Sequence, residues 1–415
     1  MAFLIPSHRS RPADDPIFAL NTEARARAQA GESVINATVG SLLDDEGRLA
    51  TLPGVVEAIR ATPAAVGAGY APIAGSPAFL RAVTADLLGD RPESKWVASV
   101  ATPGGTGALR HAVANFLEPK QTLLTTSFYW GPYKTLADEN DRELAVFRMF
   151  DHRGRLDTSV LRVALEKQLR SERRALLFLN SPCHNPTGYS FDASEWREIR
   201  TTIEELSTIG PITVCLDIAY ARFGAQPLVG SAAQGIAPLA VMLDEMLALV
   251  PKALVLFAWS ASKSFLQYGI RVGALLAVHP DDDERRRIQS ALTYSCRGIW
   301  SNVNAGGMDA IARVLSDSAL SAKVDEERSG SVDLLGRRVA RWNELAPQRG
   351  LKYPRYDGGF FVTVFADDAF GAAERLKAAG VFVVPQAGAL RIAVCSVAER
   401  DVARLVDEIA KATAS

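Results

Sequence analysis

The stretch Ser260-Ala261-Ser262-Lys263-Ser264-Phe265-Leu266-Gln267-Tyr268-Gly269-Ile270-Arg271-Val272-Gly273 follows Ala253 to Trp259, an apolar run of strand length. A lysine at the end of a buried strand is costly. Burial disfavours the ammonium and lowers its pKa, and the neutral amine is the form that makes a Schiff base with a carbonyl. Three hydroxyls and Arg271 close in sequence are phosphate-binding chemistry. Standing alone, S-x-S-K also reads as a solvated lysine just past a strand, so its meaning depends on the rest of the chain.

The 415 residues are 48% hydrophobic and 22% charged, with a net charge of -1. This is soluble globular composition, with length for two or three domains and a large core. The balanced charge gives no electrostatic basis for nucleic acid or an anionic membrane as partner and favours small molecules. Cys183, Cys215, Cys296 and Cys395 lack C-x-x-C spacing and read as reduced core thiols. Met1 to Ile5 is apolar but is broken by Pro6, His8, Arg9 and Arg11, too short for a signal-peptide core. The longest apolar region, Val241 to Trp259, carries Asp244, Glu245, Pro251 and Lys252 and is no transmembrane span. A cytoplasmic protein is expected.

Toward the N-terminus, residues 1–15 read as an extended arm of the kind that crosses to a partner subunit. Ile17 to Ala30 reads as a helix, and Ser33 to Val39 as a strand ending at Gly40. Gly40 fits both a close backbone approach and a plain turn. The loop Gly67 to Pro77 holds Tyr70, either a surface aromatic or a binding hydroxyl. Thr102-Pro103-Gly104-Gly105-Thr106-Gly107 joins a strand to a helix over Ala108 to Phe116. Glycines there expose N–H groups at the positive helix end, and the segment reads equally as a phosphate site and as a structural turn.

Strand and helix signals then alternate. Ala175 to Leu179 runs into the amide- and proline-rich loop Asn180 to Gly188, and Ile212 to Leu216 ends at Asp217-Ile218-Ala219-Tyr220. A mostly parallel sheet between helices follows, the large domain of an α/β protein spanning residues 51–314. The last hundred residues differ in layout. A long helical region, Met308 to Arg341, is expected to break near Gly330, and short strands and helices follow. These predict a smaller α+β domain built from 16–50 and 315–415.

Most candidates lie at the C-terminal ends of strands, where open α/β sheets bind ligands. Tyr70-x-x-Ile-x-Gly, Thr-Pro-Gly-Gly-Thr-Gly-Ala-Leu-Arg at 102–110, Cys-His-Asn-Pro-Thr-Gly at 183–188, Asp217-x-Ala-Tyr220, Ser260-x-Ser-Lys263 with Arg271-Val-Gly, and Arg391 in its strand occur together in this order. In these motifs the sequence resembles the class I aminotransferases of the aspartate and aromatic amino acid group, homodimeric enzymes of pyridoxal 5'-phosphate fold type I with a seven-stranded-type sheet. The resemblance implies that Lys263 holds the cofactor as a Schiff base and later moves a proton at the substrate Cα. Asp217 would pair with the ring nitrogen, Tyr220 and Asn185 with the phenolic oxygen, and Trp130 would stack on the ring. Gly104, Gly105, Thr106, Ser260, Ser262 and Arg271 would hold the phosphate, with Tyr70 reaching in from the other subunit. Gly104 stands where many relatives have serine. Asn185 and Arg391 would bind the α-carboxylate beside Gly40, Arg297 from the partner subunit would bind a second carboxylate, and Asn185-Pro186 is a candidate cis peptide.

What the resemblance implies is transamination between an L-amino acid (aspartate, glutamate or aromatic) and a 2-oxo acid such as 2-oxoglutarate, in two half-reactions through the pyridoxamine form. The alternative is another reaction of the same cofactor, β-elimination (C–S lyase) or decarboxylation. The serine-nucleophile reading of Ser260-x-x-Lys263 fails because neither S-D-N nor K-T-G occurs. His8, His111, His152, His184 and His279 show no metal-ligand spacing, and no metal is expected.

Overall fold

A computed structural model describes residues 3–9, 11, 16–224 and 238–414, so part of the expected N-terminal arm lies outside the described residues. The chain forms two compact units. The larger comprises Ala50–Gly336 and Arg355–Gly359, the smaller Met1–Leu49, Arg337–Pro354 and Phe360–Ser415.

The larger unit is organised by a seven-stranded sheet in the order Val97–Thr102, Gly273–Val278, Leu254–Ser260, Ile212–Asp217, Ala175–Asn180, Thr122–Thr126 and Glu143–Phe147. Only Gly273–Val278 runs against its neighbours; the other pairs are parallel. Ala175–Asn180, Ile212–Asp217 and Gly273–Val278 are buried at every position. That is why they read as continuous apolar runs rather than alternating ones. Leu109, Ala112 and Val113 of helix Gly104–Phe116 pack with Phe178, Cys215, Leu256 and Leu275 of the strands, and Ile288 and Leu292 of helix Asp282–Ile299 join the same core. Burying each valine, leucine, isoleucine or phenylalanine among them contributes about 1.5–3 kcal/mol.

Register sets the working edge of the sheet. Asn180 pairs with Asp217, and Asp217 with Ala258. Gly273 lies between Thr102 and Ser260 because its strand runs backward. A Cβ on Gly273 would come within 2.6 Å of the Gly104 carbonyl carbon and 2.8 Å of the Trp259 oxygen. Only glycine lets the loop before the helix close onto the strand end.

The smaller unit has a three-stranded antiparallel sheet, Val384–Gln386, Ala389–Ile392 and Val362–Phe365, and a parallel pair, Ile35–Asn36 with Val381–Phe382. The expected strand Ser33 to Val39 contracts to that pair. Arg338, fully buried, ties this unit together: its guanidinium donates to the Cys395 and Leu43 carbonyls and pairs with Asp45, each at 2.8 Å.

Two further element bounds differ from expectation. The helix expected at Ala108 begins at Gly104. The long helical region divides at Asp317 into Ala305–Ser316 and Ser318–Leu345, and runs unbroken through Gly330. Gly330 faces open space, and a lone exposed glycine costs a helix only about 1 kcal/mol relative to alanine. The boundary between the units falls inside Ser318–Leu345.

Candidate active site

Lys263 lies in the short helical turn Ala261–Ser264 that directly follows strand Leu254–Ser260. Its Nζ stands 4.4 Å from the Tyr268 ring centroid and 5.8 Å from that of Tyr220. The turn is fixed from behind. Arg328 Nε donates to the Ser264 carbonyl at 2.7 Å, and its guanidinium lies over the Phe265 ring.

Asp217 ends the adjacent strand and is 5% exposed. Its Oδ2 accepts from the Tyr133 hydroxyl at 2.8 Å and its Oδ1 from the Ala219 N–H at 3.2 Å. Burial pushes the carboxyl above its ordinary range, while these two donors pull it back. Asn180 links this residue to the neighbouring loop: its Nδ2 donates to the Asp217 carbonyl at 2.7 Å, and its Oδ1 accepts the Asn185 N–H at 2.6 Å. Asn185 Nδ2 lies 3.3 Å from the Tyr220 hydroxyl, both residues buried. The Asn185–Pro186 peptide is cis, as are Ser181–Pro182 and Val250–Pro251. Trp130, half-buried, meets Tyr133 edge to face at 5.9 Å.

At the other end of the edge, helix Gly104–Phe116 presents the unsatisfied N–H groups of its first turn. Ser260 Oγ accepts from the Ser262 N–H at 3.2 Å, and Arg271 Nη1 donates to Ser262 Oγ at 3.1 Å and to the Tyr268 carbonyl at 2.9 Å. Gly104 has φ +71°, and a Cβ there would fall 2.5 Å from Arg271 Nη2. A side chain at this position would require the Arg271 guanidinium to shift. Gly105 faces Ser260, with its virtual Cβ 3.3 Å away, and Thr106 is half-buried in the same turn.

The remaining candidates lie elsewhere. Tyr70 is 96% exposed. Arg297 is exposed near the end of its helix and donates to Ser301 Oγ at 2.6 Å. Their segments adjoin, because Asn302 Nδ2 donates to the Ala71 carbonyl at 2.5 Å. In the smaller unit Arg391 is buried in Ala389–Ile392, donates to the Thr38 carbonyl and lies 4.7 Å over the Phe361 ring. Gly40 meets the same ring, since a Cβ there would be 2.3 Å from Phe361 Cζ. The close approach allowed at Gly40 is therefore to a neighbouring side chain. Trp300 stacks on His111 at 4.3 Å.

Tyr133, Asn180 and Arg328 were not singled out from the sequence. His184 is fully buried, and burial lowers its pKa to about 3, so it is neutral at physiological pH. Among the described residues no group of His, Cys, Asp and Glu could hold a metal ion.

The site fits the cofactor implied by the resemblance. Asn185 Oδ1 is buried with no hydrogen-bond partner among the described residues. The Gly104 turn lies directly against the Arg271 guanidinium. Hydroxyls, a guanidinium and helix N–H groups suit a phosphate, and a buried carboxylate suits a protonated ring nitrogen.

A sheet of this order, with a lysine, an aspartate and an anion cradle on one edge, defines a cofactor-dependent α/β enzyme. Residues 32–409 match the family Aminotransferase class I and II, and the chain belongs to that family. It is 30% identical over 321 residues to an aspartate aminotransferase of Pseudomonas aeruginosa, covering 75% of each chain. The structure of an aminotransferase from Anaerococcus prevotii is similar with a TM-score of 0.93 and 28% identity, covering 100% of both chains. That of an aromatic-amino-acid aminotransferase from Burkholderia pseudomallei, covalently bound to pyridoxal phosphate, has a TM-score of 0.79 and 25% identity, covering 99% of this chain and 100% of that one. This chain is an amino acid aminotransferase.

Proposed function

We propose a homodimeric, cytoplasmic aminotransferase that exchanges the amino group of aspartate, glutamate or an aromatic amino acid with a 2-oxo acid such as 2-oxoglutarate. The observation that carries this reading is the meeting of Lys263, Asp217, Asn185 and Tyr220 with the Gly104–Arg271 cradle along one sheet edge. The cofactor is pyridoxal 5'-phosphate. When bound, it supplies a ring that accepts the electron pair left on the substrate Cα.

Lys263 anchors the cofactor aldehyde and, as a free amine, carries the proton between donor and acceptor atoms. Nearby Tyr220 and Tyr268 hold its ammonium through their ring faces when it is charged. Asp217 holds a proton on the ring nitrogen, and its burial strengthens that pairing by excluding water. Tyr220 and Asn185, buried side by side, would hold the phenolic oxygen, and Trp130 would stack on the ring. Ser260, Ser262, Arg271 and the Gly104–Thr106 turn fix the phosphate. Arg391 binds the α-carboxylate with a two-pronged guanidinium contact.

Support for a shared site comes from Tyr70 and Arg297. Both are exposed, and their adjoining segments form one outward face. The cytoplasmic reading rests on the four buried free thiols. Among the described residues no helix is long and apolar enough to cross a membrane.

The test is spectroscopic and chemical. Purified protein should show a visible imine absorbance that Lys263→Ala abolishes or shifts, and a wild type that stays colourless with added cofactor sinks the mechanism. A panel of amino acids with 2-oxoglutarate should yield new amino acids. Release of ammonia and pyruvate instead would assign the elimination chemistry.

A further inference from the structure

We propose that Tyr133 is a positioning residue of this active site, its hydroxyl holding Asp217 ionised and oriented toward the cofactor ring. The inference deepens the reading given above and rests on it for the role of Asp217. Tyr133, on helix Pro132–Glu139, is 1% exposed and belongs to the main core of the larger unit. Its ring is fixed by edge-to-face contacts with Phe178 at 5.2 Å and 83° and with Trp130 at 5.9 Å and 90°. Tyr129 stacks at 6.4 Å. With its ring held on these sides, the hydroxyl has a fixed direction, and it donates to Asp217 Oδ2 at 2.8 Å.

A carboxylate in this position faces opposing demands. It must stay charged to pair with a protonated ring nitrogen, yet burial disfavours that charge. Two neutral donors answer the second demand, the Ala219 N–H on Oδ1 and the Tyr133 hydroxyl on Oδ2. The titratable groups beside the pair are Cys215 on the same strand and Tyr220 after it. Burial pushes the Cys215 thiol well up, so it stays neutral. Burial and the facing Asp217 push the Tyr133 phenol well above its ordinary range, so Tyr133 keeps its proton and remains a donor. Asp217 itself titrates above an ordinary carboxyl, chiefly from burial, with Tyr133 the largest opposing influence.

The experiment compares full-length wild type with Tyr133→Phe, free of cofactor, by urea denaturation from pH 5 to pH 8. The sign follows from linkage. A carboxyl raised in the folded state above its unfolded value of about 3.9 binds its proton more tightly when folded. The stability it contributes is present at low pH and falls as pH rises toward the folded value. Removing the hydroxyl lifts the folded value further, so Tyr133→Phe goes on losing stability after the wild type has levelled off. The gap between them should widen with pH, and it should lose that pH dependence when both proteins carry Asp217→Asn. A gap constant across pH, or one that still widens with Asp217→Asn, makes Tyr133 a packing residue and overturns the proposal.

A second measurement titrates pyridoxal phosphate into the same proteins by fluorescence. Tyr133→Phe should bind about tenfold or more weakly, as expected for a lost hydrogen bond to a charged group, and the difference should vanish in the Asp217→Asn background. Equal affinity overturns the proposal. If the wild type takes up no pyridoxal phosphate, the cofactor reading of the site fails, while the urea series still decides whether Tyr133 sets the charge of Asp217.

Discussion

The sheet edge around Lys263 and the face carrying Tyr70 and Arg297 belong to the same unit but are built on opposite terms. At the edge the candidates, apart from the exposed Arg271, are buried or half-buried, and neighbours tie them: Asp217 to Tyr133, Asn185 to Asn180 and Tyr220, Arg271 to Ser262. On the face Tyr70 is 96% exposed and Arg297 reaches only its own Ser301. The groups proposed for bond-making are brought together within one chain, while the groups proposed to read the far end of the substrate lie on an outward surface. Variants at the edge should therefore affect the reaction with every substrate, and variants on the face should discriminate among substrates.

The largest expected effect is that of Lys263→Ala, which removes both the anchor and the proton carrier. It should lower single-turnover transamination by more than about 10⁴-fold for aspartate and phenylalanine alike. Selective loss for one substrate would break the contrast. Asp217→Asn comes next, since an amide does not keep a proton on a ring nitrogen; kcat should fall about 10²–10³-fold with little change in KM.

Gly104→Ala should then weaken pyridoxal phosphate binding about tenfold or more. The added Cβ meets the Arg271 guanidinium, and the backbone is at φ +71°. A cofactor titration checks this, and unchanged affinity would separate residue 104 from the cradle. Arg297→Ala should have the smallest effect, raising KM about tenfold for dicarboxylic substrates and leaving aromatic ones unchanged. Mixing Arg297→Ala with Lys263→Ala subunits sharpens this test. Hybrid dimers pair an intact lysine with an intact partner arginine, so aspartate activity should exceed that of either parent. No recovery after subunit exchange would place the arginine in its own subunit's site or in none.

Legibility in the sequence followed the same division. Asp217 ends an apolar strand run, and Lys263 and Asn185 lie in the segments that directly follow one, so local pattern and motif fall close together. The mostly parallel sheet was legible because buried strands carry unbroken apolar runs. Tyr133 was not, because its meaning depends on a carboxylate 84 residues away, and an aromatic on a helix face ordinarily signals packing alone. Asn180 read as one loop amide among several until register set it beside Asp217. Gly330 suggested a break because composition cannot tell that its surroundings are open. Helix Gly104–Phe116 begins before its first alanine because its first turn takes in the glycines of the cradle, with Gly104 itself at φ +71°.

The backward strand Gly273–Val278 has a consequence for how the site is made during folding. Because it pairs antiparallel with Leu254–Ser260, with Ser260 opposite Gly273, the segment carrying Lys263 and Arg271 is a short loop between adjacent strands. Closing such a loop is a local event, fast beside the long crossovers of the parallel strands. The segment that carries Lys263 and Arg271 is thus closed by nearest-neighbour pairing, whereas Asp217 and the Gly104 turn come to it from more distant parts of the chain.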